Sequence, residues 1–290
     1  GSDLLVKVLR SPYISCSAFI GRNAKSDGLA RARSLQVPVS TDGITYLQKH
    51  ADSFDIVFDA TSASAHRLHA PILQKMGKFV VDLTPAKVGQ MCVPAVNIAA
   101  ILESRNVNMV TCGGQAAIPL AHAISQVHPK AAYIEVISSI ASRSAGPATR
   151  LNLDEYIHTT ELGVLHYSGA LRCKAILNLN PAVPCVNMQT TVLAKVEKPD
   201  IARLQPILAA LVKKMRTYVP GYELLVGPLV DHGRIVITVR VKGLGDFLPE
   251  YAGNLDIINC AALATAESYA LACQQRLPAR ESRFIPCNPS

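Results

Sequence analysis

Eight cysteines and eight histidines are the residues of this chain best suited to covalent or metal chemistry. One cysteine stands apart by its setting. In VNMVTCGGQAAIP, Val107 to Pro119, an apolar run ends at Thr111-Cys112-Gly113-Gly114 and a helix-like pattern begins. Cys112 is open to two readings. It is a small core residue ahead of a turn, as buried cysteines commonly are, or it is a nucleophile. At a helix N-terminus the dipole and the free backbone N–H groups favour thiolate over thiol. The same amides can hold an oxyanion, and Gly113 and Gly114 let the backbone come close to a substrate. Position alone does not separate the two.

The other cysteines, Cys16, Cys92, Cys173, Cys185, Cys260, Cys273 and Cys287, are irregularly spaced and form no C-x-x-C pair. That pattern argues against a disulfide framework and a zinc site, and for a reducing, cytoplasmic setting. His66 and His69 lie three apart on an expected helix without an evident third ligand, and read as a solvated helix face or a pocket rim. The formal net charge of +8 comes from scattered basic residues. Scatter with few interleaved aromatics speaks against nucleic-acid binding and suits phosphate-bearing small molecules. No apolar stretch reaches the length of a membrane span and no signal peptide stands at the start.

The elements that would position Cys112 come in two textures. Up to residue 112, short continuously apolar strands (Cys16 to Gly21, Gln36 to Ser40, Phe54 to Thr61, Lys78 to Thr84) alternate with helical patterns, among them Ser26 to Leu35. The opening segment also reads as a helix, with Leu4, Leu5, Val8 and Leu9 on one face. This is the signature of a parallel sheet covered on both faces. After Cys112 the strands lengthen and alternate: Ala131 to Ser142, Lys174 to Asn180, Thr191 to Glu197 and Arg234 to Gly243. Helical patterns intervene from Leu153 and from Pro199, giving an α+β domain with a mostly antiparallel sheet. An alanine-rich helix from Ile257 should pack back on the first domain. The expected division is 1–112, completed by 253–278, then 113–252, with 279–290 a disordered tail. The fold class is α/β, a Rossmann-like parallel sheet plus an α+β domain. The first strand and glycine-rich turn of a dinucleotide domain are missing ahead of the opening helix. Asn23 sits about where an acidic residue would hold a ribose hydroxyl, and Arg22 beside it could meet a 2′-phosphate.

SDGLARAR, IVFDATSASAH, VDLTPAKVG, CVPAVN, NVNMVTCGGQAAIP, SRSAGPATRLNLDEY, YVPGY and LPEYAGNLDI run through nearly the whole chain. Together they resemble the acylating acetaldehyde dehydrogenases that partner 4-hydroxy-2-oxovalerate aldolases in aromatic-compound catabolism. The resemblance implies a glyceraldehyde-3-phosphate-dehydrogenase-like fold. It also implies oxidation of acetaldehyde to acetyl-CoA through a Cys112 thioester, with NAD as cofactor and coenzyme A as co-substrate; use of NADP is the expectation that Arg22 adds. The cofactor loop carries over to Ser144, Ala145, Gly146, Pro147, Ala148, Thr149, Arg150, Leu151 and Asn152, and a dinucleotide-contacting asparagine to Asn254. Without the resemblance, Gly146-Pro147 is simply a turn. Thr61, Ser62, Pro85 and Ala86 lie at strand C-termini where a Rossmann sheet presents ligands. By fold analogy, Ile140 to Arg143 and Asn180 to Pro184 lie near the aldehyde's path. The family implies a homodimer core in a heterotetramer with the aldolase.

Related sequences carry an aspartate after NPA-x-P that helps the cysteine react. Here Thr190 stands there, and threonine cannot serve as a carboxylate base; Asp256 or water would have to substitute. An alternative follows from this and from the absent first strand: a truncated, cofactor-deficient, non-catalytic homologue that keeps its dimer and aldolase-binding surfaces. Semialdehyde dehydrogenases share the cysteine and the fold, but no histidine here stands in a comparable motif.

Overall fold

The computed structural model describes residues 1–146, 149, 150 and 152–276. The tail 279–290 lies outside them. Helix α1 (Ser2–Val8) buries Leu4, Leu5 and Val8, while Leu9 lies at the surface just past its end. β1 (Phe19–Ile20) is followed by α2 (Asp27–Ser34), whose N-cap Ser26 accepts the Leu29 N–H as a capping hydroxyl should. β2 (Val39–Ser40) pairs parallel with β1. Then come α3 (Ile44–Lys49), β3 (Ile56–Asp59), α4 (Ala63–Lys75), β4 (Phe79–Asp82), β5 (Gln90–Met91), α5 (Pro94–Ile101) and β6 (Asn106–Asn108). These strands form a four-stranded, all-parallel sheet in the order β3-β4-β6-β5.

The parallel sheet is less continuous than its apolar runs suggest. β1 and β2 stand as a separate two-stranded piece, and among the described residues no strand bridges β1 to β3. The β1–β2 piece is held instead by α1 and α2, through a small cluster of Leu5, Ala32 and Val37.

The second sheet needs no such help. Helix α6 (Cys112–Val127) leads into β7 (Tyr133–Ala141), α7 (Leu153–Ser168), β8 (Cys173–Asn180), β9 (Met188–Lys195), α8 (Ile201–Arg216), β10 (Tyr222–Asp231) and β11 (Arg234–Val241). The strand order is β10-β11-β9-β7-β8, with β7–β8 parallel and the other pairings antiparallel. Side chains alternate across such a strand, and Ile134, Val136, Ile140, Val192, Ile237 and Val239 make the buried face. That face packs with Ile118, Leu120 and Ile124 of α6 and Leu204 and Leu208 of α8. β10 was not evident in the sequence because Gly227-Pro228 interrupts its pattern. Register shifts on either side of Val226 absorb the interruption, as bulges do.

The last helix, α9 (Gly253–Arg276), returns to the first sheet as its alanine-rich sequence implies. Ala261, Ala262 and Ala266 lie against Phe79, Val81 and Val107, and Tyr269 stacks on Phe79 with ring centroids 3.9 Å apart. Phe79 and Val81 therefore face α9. Asp82, one step out of phase, faces His66 of α4 on the other side, so α4 and α9 cover opposite faces of β4. α1 is tied to the same helix by charge. Lys7 Nζ lies 2.8 Å from Asp256, 2.7 Å from Asp246 and 3.3 Å from Asp3, with its side chain 4% exposed.

Candidate functional site

The turn that delivers Cys112 is built from strain and caps. β6 ends at Asn108, whose Oδ1 accepts the Val110 N–H at 2.9 Å. Val110 then adopts φ 59°, a left-handed conformation that is costly for a β-branched residue. The reversal lets Thr111 cap α6, its hydroxyl accepting the Gly114 N–H at 2.8 Å. Buried Gln115 pins the corner through Nε2, which donates to the carbonyls of Cys92 and Met109 at 2.7 and 2.9 Å. Cys112 is thus the first residue of α6, as its sequence setting predicts.

The two glycines serve a different end from the one expected. A Cβ on Gly113 would lie 2.2 Å from the hydroxyl of Tyr156, and one on Gly114 2.8 Å from Val110 Cγ1. Gly113 lets α7 close on α6, together with Gly163, whose Cβ would meet Ile118 at 2.8 Å, while Gly114 leaves room for the Val110 turn. The amides are also engaged. Gly113 N–H donates to Tyr156 Oη at 3.0 Å and Gly114 N–H to Thr111. The expected pair of free oxyanion donors is therefore satisfied within the chain.

Tyr156, which the sequence did not single out, is the main neighbour of the thiol. Its Oη lies 3.6 Å from Cys112 Sγ. Ser138 of β7 lies on the same side of Gly113, and its Oγ is 2.9 Å from Thr190 Oγ1 on β9. Both hydroxyls are buried, at 2% and 0% exposure. Burial pushes the Cys112 thiol up, against the Tyr156 hydrogen bond and the amides of Gly113 and Cys112, which pull it down. The expectation of a thiolate favoured by the helix terminus is therefore only partly met in this closed arrangement. Burial, and next the neighbouring cysteine, hold the Tyr156 phenol well above its ordinary range. Cys92 has no such amides and is pushed up to about 12 by burial. Asp256 does not substitute for the missing aspartate, because it is engaged with Lys7 and lies 3.6 Å from Cys260 Sγ.

The expected cofactor loop is partly assembled. Asn254 Nδ2 donates to Ser144 O at 3.4 Å, which joins α9 to the loop, and Ser144 Oγ donates to Ala141 O at 2.8 Å. Ala145 is buried beside them, and a Cβ on Gly146 would meet open space. Arg150 turns back on its own loop, donating to Ala145 O, Ser142 O and Ser142 Oγ. Asn152 O accepts the Tyr156 N–H and its own N–H reaches Thr149 O at 3.3 Å, so Thr149 and Asn152 lead into α7. Pro147, Ala148 and Leu151 lie outside the described residues. Asn254 Oδ1 is buried without a partner. An orphaned acceptor beside open glycine backbone fits the carboxamide of a nicotinamide.

At the first sheet, Thr61 N–H donates to Asp59 Oδ1 at 3.1 Å and Ser62 caps α4. Ala86 is buried and Pro85 half-buried in the loop after β4. Asn23 Oδ1 accepts the Lys25 N–H within its own loop beside an exposed Arg22. The solvated reading of His66 is corrected. It is fully buried, with Nδ1 2.9 Å from Asp59 and Nε2 3.4 Å from Asp82, and His69 Nδ1 shares Asp59 at 2.9 Å. The helix that carries them faces the polar end of the sheet. The β7–β8 register sets Ile140 against Leu179 and Ala141 against Asn180. This brings the two expected aldehyde-path segments, 140–143 and 180–184, to one end of the sheet. No described helix is long and apolar enough to cross a membrane.

Comparison with known proteins agrees with this architecture. The aspartate semialdehyde dehydrogenase II of Vibrio cholerae, solved in complex with ASA, superposes with a TM-score of 0.57 at 13% identity, over 90% of this chain and 98% of that one. At that identity the likeness shows the fold alone. The family described as "Prokaryotic acetaldehyde dehydrogenase, dimerisation" matches residues 112–249, from the cysteine to the end of the five-stranded sheet region. The acetaldehyde dehydrogenase of Spirochaeta aurantia is 58% identical over 276 residues, covering 95% of this chain and 93% of its own. That of Geobacillus stearothermophilus is 47% identical, covering 93% and 92%. Motifs, fold and near full-length identity agree, and the chain belongs to the acetaldehyde dehydrogenase family.

Proposed function

We propose that the chain oxidises acetaldehyde and other short aldehydes to the acyl-CoA through a thioester on Cys112, in the cytoplasm. The observation that carries this is the placement of Cys112 at the N-terminus of α6, half-buried, beside one hydroxyl and capped backbone. The thiolate adds to the aldehyde carbon, the C–S bond forms, and the carbonyl π electrons pass to oxygen. NAD, or NADP, supplies a hydride acceptor when bound. Asn254 and the 144–146 backbone would hold its nicotinamide end, supported by the orphaned Asn254 Oδ1. The Cys112 sulfur is then the leaving group when the thiol of coenzyme A takes the acyl carbon. In this reading residues 1–112 with 253–278 bind the dinucleotide, and 113–252 carry catalysis and the homodimer contact. Support for the latter is the dimerisation family matched over 112–249. An aldolase partner, within aromatic-compound catabolism, rests on the motif resemblance.

A second reading is a non-catalytic, cofactor-deficient homologue, favoured by Thr190, whose buried hydroxyl meets Ser138 and supplies no carboxylate. One assay separates the two. Acetaldehyde, NAD and coenzyme A together should give reduced cofactor and acetyl-CoA in equal amounts, with little reduction when coenzyme A is left out. Acetate formed without coenzyme A would refute the acylating step. No cofactor reduction, with no NAD or NADP binding by titration, would establish the second reading.

A further inference from the structure

His66 joins the two turns that leave the first sheet at the end where a parallel sheet presents its ligands. Asp59, the last residue of β3, divides its oxygens. Oδ1 accepts the Thr61 N–H at 3.1 Å and the Thr61 hydroxyl, and Oδ2 meets His66 Nδ1 at 2.9 Å. Asp82, the last residue of β4, does the same. Its Oδ1 accepts the Thr84 N–H at 2.8 Å, and its Oδ2 lies 3.4 Å from His66 Nε2. Asn108 secures the second turn, with Nδ2 donating to Asp82 Oδ2 at 2.7 Å and to Thr84 O at 2.8 Å. One fully buried imidazole thus spans the carboxylates that hold the turns after β3 and β4. Its surroundings also suit a second ring proton. Neutral, with Nδ1–H donating to Asp59, Nε2 accepts from Asn106 Nδ2 at 3.2 Å, and Asn106 Oδ1 stays buried without a partner. Protonated, Nε2 is a donor. Asp82 Oδ2 is then its acceptor, and so is Asn106 Oδ1 once the carboxamide turns over.

We propose that His66 is a positioning residue for the dinucleotide, whose imidazolium draws Asp59 and Asp82 together and so fixes the spacing of the 61–63 and 84–86 turns that border the cofactor. This deepens the reading of residues 1–112 as the dinucleotide-binding part and rests on it. When the ring loses a proton, Asp59 keeps the Nδ1–H but Asp82 loses its donor, and the link between the turns opens at β4. Affinity for NAD or NADP is therefore greatest with the ring charged and falls as pH rises through its titration. Among the described residues, the titratable groups facing the ring are Asp59 from β3, Asp82 from β4 and, on α4 itself, His69, whose Nδ1 shares Asp59 Oδ2 at 2.9 Å. β6 adds the neutral Asn106. Burial opposes the charge, the two carboxylates favour it, and the balance raises the ring's pKa above the ordinary value.

The test follows ring and ligand together in the full chain. The His66 ring is titrated by NMR of histidine-labelled protein, its signal assigned by its loss in His66→Gln, and NAD affinity is measured by calorimetry over the same pH range. Binding should weaken about tenfold on the high-pH side, as for loss of a hydrogen bond to a charged group, with its inflection where the ring titrates. Saturating NAD should raise the ring's pKa by about one pH unit, the same tenfold read from the other side. In His66→Gln, binding should be weak and level with pH. Asp82→Asn keeps an acceptor for the Thr84 N–H and removes the charge, and serves if His66→Gln folds poorly. It should lower the ring's pKa by about one pH unit and carry the affinity inflection with it. A merely structural histidine would leave NAD affinity level while the ring titrates. That result, or a ring that NAD does not shift, would overturn the proposal and leave cofactor binding standing. Absence of NAD and NADP binding at every pH would instead refute the cofactor reading, and this proposal with it.

Discussion

The two sheets of this molecule are stabilised in opposite ways. The first has strands of two to four residues, is divided between β1 and β3, and buries Asp59, His66, Asp82 and Asn108 at its polar end. The second has strands of eight to ten residues in one unbroken five-stranded order over an aliphatic core. The first depends on distant parts of the chain, α9 stacked on Phe79 and Lys7 held among three carboxylates. The second closes on its own neighbours. Helix α6 belongs to both, since β6 of the first sheet delivers its N-terminus and the core of the second holds its body. The cysteine at that N-terminus thus stands where the two sheets meet, packed against the core of the second.

That contrast can be broken or sharpened by substitution. Cys112→Ala should lower aldehyde oxidation by ~10³-fold or more and move unfolding free energy by only about 1 kcal/mol, measured by steady-state turnover and denaturant titration. Lys7→Met should do the reverse. Three buried carboxylates lose their shared cation, at a cost of about 3–5 kcal/mol. Hydrogen exchange should quicken in α1 and α9 while β9 and β11 keep their protection. Asn254→Ala should weaken nicotinamide cofactor binding about tenfold, the scale of one lost hydrogen bond, without changing Cys112 alkylation. The smallest effect comes from His66. Its two carboxylates, Asp59 and Asp82, raise its pKa against the opposing effect of burial. The stabilisation is then complete below the ordinary value of 6.5 and is lost as pH rises through the higher folded value. Exchange protection in β3 and β4 should fall as pH rises above the ordinary histidine value, after correction for intrinsic rates, while β7 and β9 stay level.

Most of the architecture was legible because it is written in periodicity. Continuous apolar runs marked β3 and β4, alternation marked β7, β8, β9 and β11, and small residues marked α9 as a helix meant for close packing. β10 was hidden because Gly227-Pro228 breaks the alternation that the bulges later accommodate. Cys112 was legible from the corner it occupies. Tyr156 was not, since nothing local says that the start of α7 meets the start of α6. The available signal was a helix with polar and small residues on its buried side, Thr159, Thr160 and Gly163, which marks a close and polar helix contact. His66 and Asp256 were misjudged for a related reason. Asp256 pairs with Lys7 at the other end of the chain, and His66 pairs with Asp59 only because the turn from β3 into α4 folds it back over the strand end, so sequence spacing carries little trace of either pairing.

The central claim is that Cys112 carries the acyl group, and the reverse half-reaction tests it without any dinucleotide. The protein would be mixed with acetyl-CoA, quenched in acid and mapped by peptide mass. The account predicts one acetyl group, on the peptide containing Cys112, discharged by added coenzyme A and absent from Cys112→Ala. Acetyl on another cysteine, or none at all in a protein that still oxidises acetaldehyde, would contradict it.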